Sequence, residues 1–134
     1  MNSVERYRKA RTDAASEVAA DYLELIEDLI SECGEARATD LAARMGVSHV
    51  TVSKALQRLM RDGHVRYRPY RSIFLTEAGS DIAKAAREKH VSMLRFLIAV
   101  GVPPQIAEQD AEGMEHHVSP ETLAAINQFL EKHI

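Results

Sequence analysis

Three residues near the C-terminal end, Glu112, Glu115 and His116, have the side chains and the spacing to hold a metal ion. On a helix, positions i, i+3 and i+4 share one face, so two carboxylates and an imidazole converge there. Ala107, Ala111, Met114 and Val118 take the other face. Helical proteins hold two-metal carboxylate sites with Glu and Glu-x-x-His sets on neighbouring helices. The same EGMEHH run is equally compatible with a solvated polar face. Asp21, Glu24 and Asp28 line one side of an N-terminal helix, by themselves an acidic stripe. His90 falls within the apolar stripe Ile82, Ala86, Met93, Leu97. There a hydrogen-bonded core histidine is the alternative to a ligand, and ligation requires the neighbouring acidic helices to pack against it. Carboxylate and imidazole donors without thiolate suit Mn(II) or Fe(II), although affinity alone favours zinc or copper. The single cysteine, Cys33, can form neither an internal disulfide nor a CxxC zinc site.

A second set of residues could grip DNA. Ser48, His49, Thr51, Val52, Ser53 and Lys54 open a helix with short polar and methyl-bearing side chains, the types that reach base edges and phosphates from a major groove. Thr51 and Val52 carry methyls suited to thymine, and Ser48, Ser53 and Lys54 suit phosphates. Arg58 and Arg61 add charge further along, and Arg66, Arg68 and Arg71 follow in a hairpin. Two packed helices with a solvated basic face would show part of this pattern. The conjunction of turn glycine, capped second helix and basic hairpin favours DNA. Tyr67 and Tyr70 are expected to cover the core-facing side of the hairpin.

The elements that must position these groups follow from periodicity and punctuation. Residues 1–13 show little apolar periodicity and are expected to be a flexible arm. Tyr22, Leu23, Ile26, Leu29, Ile30 and Cys33 mark a helix from about Ala14, stopped by Gly34. A short helix over about 37–45, with Thr39 as an early cap, is followed by a Gly46-Val47 turn. A third helix, capped by Ser48, then runs to about Arg61. HVRYRPYRSIFLT alternates around Pro69 and predicts two short strands, the wing. A long helix after Thr76 ends near Gly101. A helix opened by Pro103-Pro104 runs to about His117, and a last one is capped by Ser119 with Pro120 at its first position. The fold class is therefore mainly α with a small β-hairpin wing: an arm over 1–13, a winged helix-turn-helix domain over 14–75, and a helical metal-binding and dimerisation domain over 76–134.

The charge distribution agrees with two separate chemistries. The formal net charge is −3, but residues 36–75 carry eight basic and two acidic side chains, against four and nine in residues 1–35 and one and six in residues 101–134. A basic block between acidic ones offers one region for phosphates and two for cations. No run approaches the ~20 apolar residues of a membrane span, and the N-terminus lacks a secretory h-region, so a cytoplasmic protein is expected. A dinuclear hydrolase would share the carboxylate–histidine set but needs a nucleophile or cleft motif, and none is visible. An enzyme is not expected. A winged-helix regulator of an organic ligand, or one used for protein contacts, would leave the acidic cluster or the arginines without a role.

Taken together, DYLELIEDLI, GEARATDLAARMGVS, TVSKALQRL, FLTEAG and GVPPQIAEQDAEGMEHHVS resemble the manganese-responsive branch of the diphtheria-toxin-repressor family, over about Asp21 to the C-terminus. The resemblance implies metal ligands at Asp21, Glu24, His90, Glu112, Glu115 and His116. Iron-responsive relatives have methionine and cysteine where this chain has Asp21 and Glu112, which favours manganese. It further implies about two Mn(II) per subunit, with Fe(II), Co(II), Zn(II) or Cd(II) as in vitro substitutes. Asp21 and Glu24 would belong to the DNA-binding half and the other four ligands to the dimer half, so that metal ties the halves together. The expected protein is a homodimeric repressor of manganese transport genes, acting on double-stranded DNA at a palindromic operator. No membrane or small organic substrate is expected, nor the SH3-like domain of iron-type members.

Overall fold

A computed structural model describes residues 1–68 and 72–133. The tip of the expected hairpin, and with it the candidate contact Arg71, lies outside the described residues. The described elements are α1 (Ser3–Cys33), α2 (Ala38–Met45), α3 (His49–Arg61), β1 (Val65–Tyr67), β2 (Ile73–Leu75), α4 (Glu77–Ala99), α5 (Pro104–Met114) and α6 (Pro120–Lys132). They form two compact units, Glu17–Lys84 and a second made of Met1–Ser16 with Ala85–Ile134. No helix among the described residues is long and apolar enough to cross a membrane.

In the first unit the apolar stripe of α1, Tyr22, Leu23, Ile26 and Leu29, meets Leu41 and Ala42 of α2 and Val52, Leu56 and Leu59 of α3 in one buried core. Between α2 and α3 the chain reverses at Gly46, whose φ of 69° is the left-handed conformation that glycine adopts without a Cβ penalty. Ser48 then caps α3, its hydroxyl accepting from the Thr51 N–H at 3.2 Å. Arg37, not Thr39, precedes α2, and no side chain caps that helix. The strands pair antiparallel, Val65 opposite Leu75 and Tyr67 opposite Ile73, and Ile73 donates to the Ala36 carbonyl at 2.8 Å, tying the hairpin to the segment after α1. Val65 and Ile73 point into the core, whereas Tyr67 is exposed, contrary to the expectation that it covers the core.

The second unit is built around Met93 and Leu97 of α4 against Ala107 and Ala111 of α5, with Leu123 and Ile126 of α6 beside them. Ala107 and Ala111 are fully buried in this cluster. Phe96 and Phe129 add an edge-to-face contact at 5.6 Å between ring centroids. Ser119 caps α6 by accepting from the Thr122 N–H. The expected arm is instead helical. Asn2 and Glu5 form a reciprocal cap, each side chain accepting from the other's N–H, and Lys9 pairs with Asp13 one turn on. Local hydrogen bonds and ion pairs sustain these turns, so apolar periodicity does not register them.

One close approach fixes where α4 begins. Thr76 donates its hydroxyl to the Gly63 carbonyl at 2.6 Å, and its Oγ1 accepts from the Gly79 N–H at 3.1 Å. Gly79 lies so close to the preceding loop that a Cβ would stand 2.1 Å from the His64 carbonyl oxygen. Alanine in a helix ordinarily gains about 1 kcal/mol over glycine. Here the sign reverses: Gly79→Ala should cost about 1–3 kcal/mol, measured as a lower urea midpoint than the wild-type chain.

Candidate metal centre and DNA-facing surface

The metal-type residues of the second unit gather around His90, near the middle of α4. Its Nε2 is 2.8 Å from Oε1 of Glu108, while Nδ1, at another edge of the ring, is 3.0 Å from Oε2 of Glu115 and 3.5 Å from Oε1 of Glu112. The other oxygen of Glu115 lies 3.3 Å from Nε2 of His116. Glu115 is only 3% exposed, the one charged residue among those described that is buried. A buried carboxylate is costly unless opposite charge or donors surround it. Two imidazoles stand among its surroundings.

This geometry differs in one respect from a helical face. α5 ends at Met114, and Glu115, His116 and His117 form the turn after it, where His117 N–H bonds to the Met114 carbonyl. Glu115 remains in α-helical register, its N–H still bonded to Ala111 at 3.0 Å. Met114, expected on the apolar face, is 38% exposed. His117 faces Asp13 at 3.2 Å, which fastens the first turns of α1 to this turn.

The residues present fit a hard divalent cation. Nδ1 of His90 and Oε2 of Glu115 are buried and face each other at 3.0 Å outside hydrogen-bond geometry. Oxygen donors with imidazole nitrogen and no sulfur are the matching donor set. Glu108 was not among the residues singled out in the sequence, yet its carboxylate, with His90 and Glu112, completes a group whose donor atoms lie within 4.8 Å of one another. The signal was available: Glu108 stands four residues before Glu112, on the same helix face. Asp21 and Glu24 belong to the other unit, half-buried on α1 beside the core residues Tyr22 and Leu23.

In that first unit, α3 turns Ser53, Lys54 and Arg58 outward, with His49, Val50 and Thr51 exposed at its N-terminal end. Arg66 and Arg68 are exposed on the hairpin, where the Arg68 guanidinium sits 4.3 Å over the Phe74 ring. Val52 is a correction. It is fully buried with Leu56 and Leu59, because the 3.6-residue period carries it inward, so its methyls pack in the core and not against a base. Val50, 64% exposed, is the apolar side chain on the outside. An open groove lined by Arg37, Ala38, Thr39, Ser53 and Tyr67 adds Arg37 and Thr39 to the polar groups beside α3.

Two family models match the chain: the iron dependent repressor N-terminal DNA binding domain over residues 15–73, and the iron dependent repressor metal binding and dimerisation domain over residues 76–133. The chain is 51% identical over 130 residues to the transcriptional regulator MntR of Escherichia coli O157:H7, covering 97% of this chain and 84% of that one. It is 37% identical over 116 residues to the HTH-type transcriptional regulator MntR of Listeria monocytogenes, covering 84% and 82%. Among solved structures it resembles a manganese-dependent transcriptional repressor in complex with manganese (TM-score 0.70, 30% identity) and the manganese regulator SloR (TM-score 0.73, 25% identity). Each match covers 84% of this chain, which spans about half the length of those two structures, 52% and 53%.

The carboxylates around His90 set a pH dependence for the metal-free chain. Burial pulls the imidazole down, but the Glu108 hydrogen bond and the charges of Glu115, Glu112 and Glu108 outweigh it and hold the pKa above its ordinary 6.5. A raised folded pKa contributes stability that is full below the unfolded value and lost as pH rises through the folded one. With a chelator present, the urea midpoint should therefore contain a His90 contribution that fades above pH 6.5. Comparison with His90→Gln checks it: the difference between the two proteins should shrink from pH 5.5 to pH 8.5.

Proposed function

The chain belongs to the diphtheria-toxin, or iron-dependent, repressor family of metal-responsive transcriptional regulators, and on that premise we propose that it is a Mn(II)-activated repressor that binds a palindromic operator as a homodimer and controls manganese transport genes. The family consists of regulators and not enzymes. The strongest support for metal control is the buried Glu115 carboxylate between two imidazoles, in the unit that matches the metal-binding model. We assign the ligands to Asp21, Glu24, His90, Glu112, Glu115 and His116, the first two on the strength of the resemblance. The two oxygens of Glu115 face two different imidazoles, which supports two ions per subunit with Glu115 shared. A bound divalent cation adds positive charge to this acidic set. His90 and His116 must offer a nitrogen lone pair, so each must be free of a proton there, and affinity should fall as pH drops. Fe(II), Co(II), Zn(II) and Cd(II) should occupy the same donors in vitro.

For DNA, the outward groups of α3 with Ser48 at its cap, together with Arg66, Arg68 and Arg71, supply phosphate and base contacts, and Val50 takes the place first given to Val52. Homodimerisation is supported by apolar side chains left exposed in the second unit, Val91 and Ile98 on α4, Val100 after it and Ile106 on α5. Two recognition helices would then meet half-sites ~34–36 Å apart. Such a protein acts in the cytoplasm.

A mobility-shift assay on a palindromic operator, run in parallel with Mn(II), Fe(II), Co(II), Zn(II) and chelator, should give a metal-dependent complex. Absence of any Mn-dependent shift overturns the proposal. Glu115→Ala and His116→Ala should each lose tight Mn(II) uptake by electron paramagnetic resonance and lose the shift. Uptake unchanged in both would mean that the carboxylate–histidine set is not the sensor. Lys54→Ala or Arg58→Ala should weaken binding on all sequences alike and reduce the slope of log affinity against log salt by about one.

A further inference from the structure

Resting on the metal reading above, the geometry points to Glu108 as a positioning residue for His90: it holds the Nε2 edge of the ring so that Nδ1 is presented to Glu112 and Glu115. Glu108 and Glu112 lie on successive turns of α5, and Glu115 follows at its end, so three carboxylates face one imidazole. Their contacts are not equivalent. Glu108 hydrogen-bonds the ring, Nε2 to Oε1 at 2.8 Å, from a side chain that is 55% exposed. Nδ1 is buried and faces the buried carboxylate at 3.0 Å without such a bond.

An ionised carboxylate only accepts, so a bond to Nε2 requires the proton to sit on Nε2. In the neutral ring that leaves the lone pair on Nδ1, on the side where Glu112 and Glu115 lie. Without Glu108 the ring can take the other tautomer or turn over about its Cβ–Cγ bond, and the ligating nitrogen is no longer specified. Carboxylates that fix a metal-binding histidine in this way are worth ~10–100-fold in metal affinity.

The alternative is that Glu108 itself takes the ion together with His90 and Glu112, whose donor atoms lie close enough to do so. That would make Nε2 the ligating atom and leave Nδ1 buried against Glu115 with no ion to share. The two possibilities differ at a single nitrogen.

The test uses the full-length protein. Mn(II) affinity by electron paramagnetic resonance should fall ~10–100-fold in Glu108→Leu and stay near wild type in Glu108→Gln, whose amide oxygen still accepts from Nε2–H. Placed in a His90→Ala background, Glu108→Leu should add no further loss. In 15N-histidine protein loaded with 113Cd(II), the cadmium should couple to Nδ1 of His90, with Nε2 protonated. Cooperative circular dichroism melts of the metal-free variants, with helix content matching wild type, separate this effect from misfolding. Coupling through Nε2, a loss in Glu108→Leu that persists without His90, or unchanged affinity in Glu108→Leu overturns the assignment. Wild-type protein that takes up no Mn(II) at all overturns the metal reading instead, and this inference with it.

Discussion

A single buried carboxylate constrains the second unit. Desolvating the Glu115 charge costs several kcal/mol unless the surroundings return it, and among the groups beside it His90 comes from α4 and His116 from the turn after α5. Side chains of α4 and α5 therefore have to meet. Beside the polar cluster, Ala107 and Ala111 are buried against Met93 and Leu97. The polar cluster and the small apolar core are therefore consequences of one packing arrangement. A larger residue at Ala107 or Ala111 would overpack this buried cluster beside the imidazole and its carboxylates.

The first unit obeys a different rule. Its charges are kept out of the core and displayed: Lys54 and Arg58 on α3, Arg66 and Arg68 on the hairpin. The scaffold beneath is purely apolar, Leu23, Ile26, Leu41, Leu56 and Ile73 being fully buried. Phosphate binding needs solvent-accessible cations on a rigid base, whereas cation binding needs partly desolvated anions. The −3 net charge of the whole chain conceals this division, and it emerges only when the sequence is taken block by block.

Local chemistry made much of this legible in advance. Ser48 and Ser119 announced their helices, Gly46 the turn, and Pro120 the first turn of α6, because each satisfies a requirement within four residues of itself. Four features escaped for physical reasons. The first turns of α1 bury almost nothing, so the apolar period that reveals helices was silent there, although Asn2 and Glu5 spelled out a cap. Val52 was given to the wrong face because a residue's type near a helix start does not fix its azimuth, and Leu56 and Leu59 would have settled the phase. Glu108 was overlooked because its importance comes from the imidazole ring it meets on another helix, 18 residues away in sequence. Tyr67 is a related case: it shares the sheet face of Val65 and of its cross-strand partner Ile73, yet at the end of the short hairpin it stays 44% exposed.

The division of labour within α3 bears on how such a protein changes over time. Val52, Leu56 and Leu59 hold the helix in the core, while Val50, Ser53, Lys54, Gln57 and Arg58 all face away from it. The two sets share a helix but no side chain. Replacements on the outer set alter what the helix presents without opening a cavity beneath it, so new sequence preferences can be sampled at almost no cost in folding. A lineage can move to different operators while its metal-sensing half stays the same, and the outer set is where a designer would randomise.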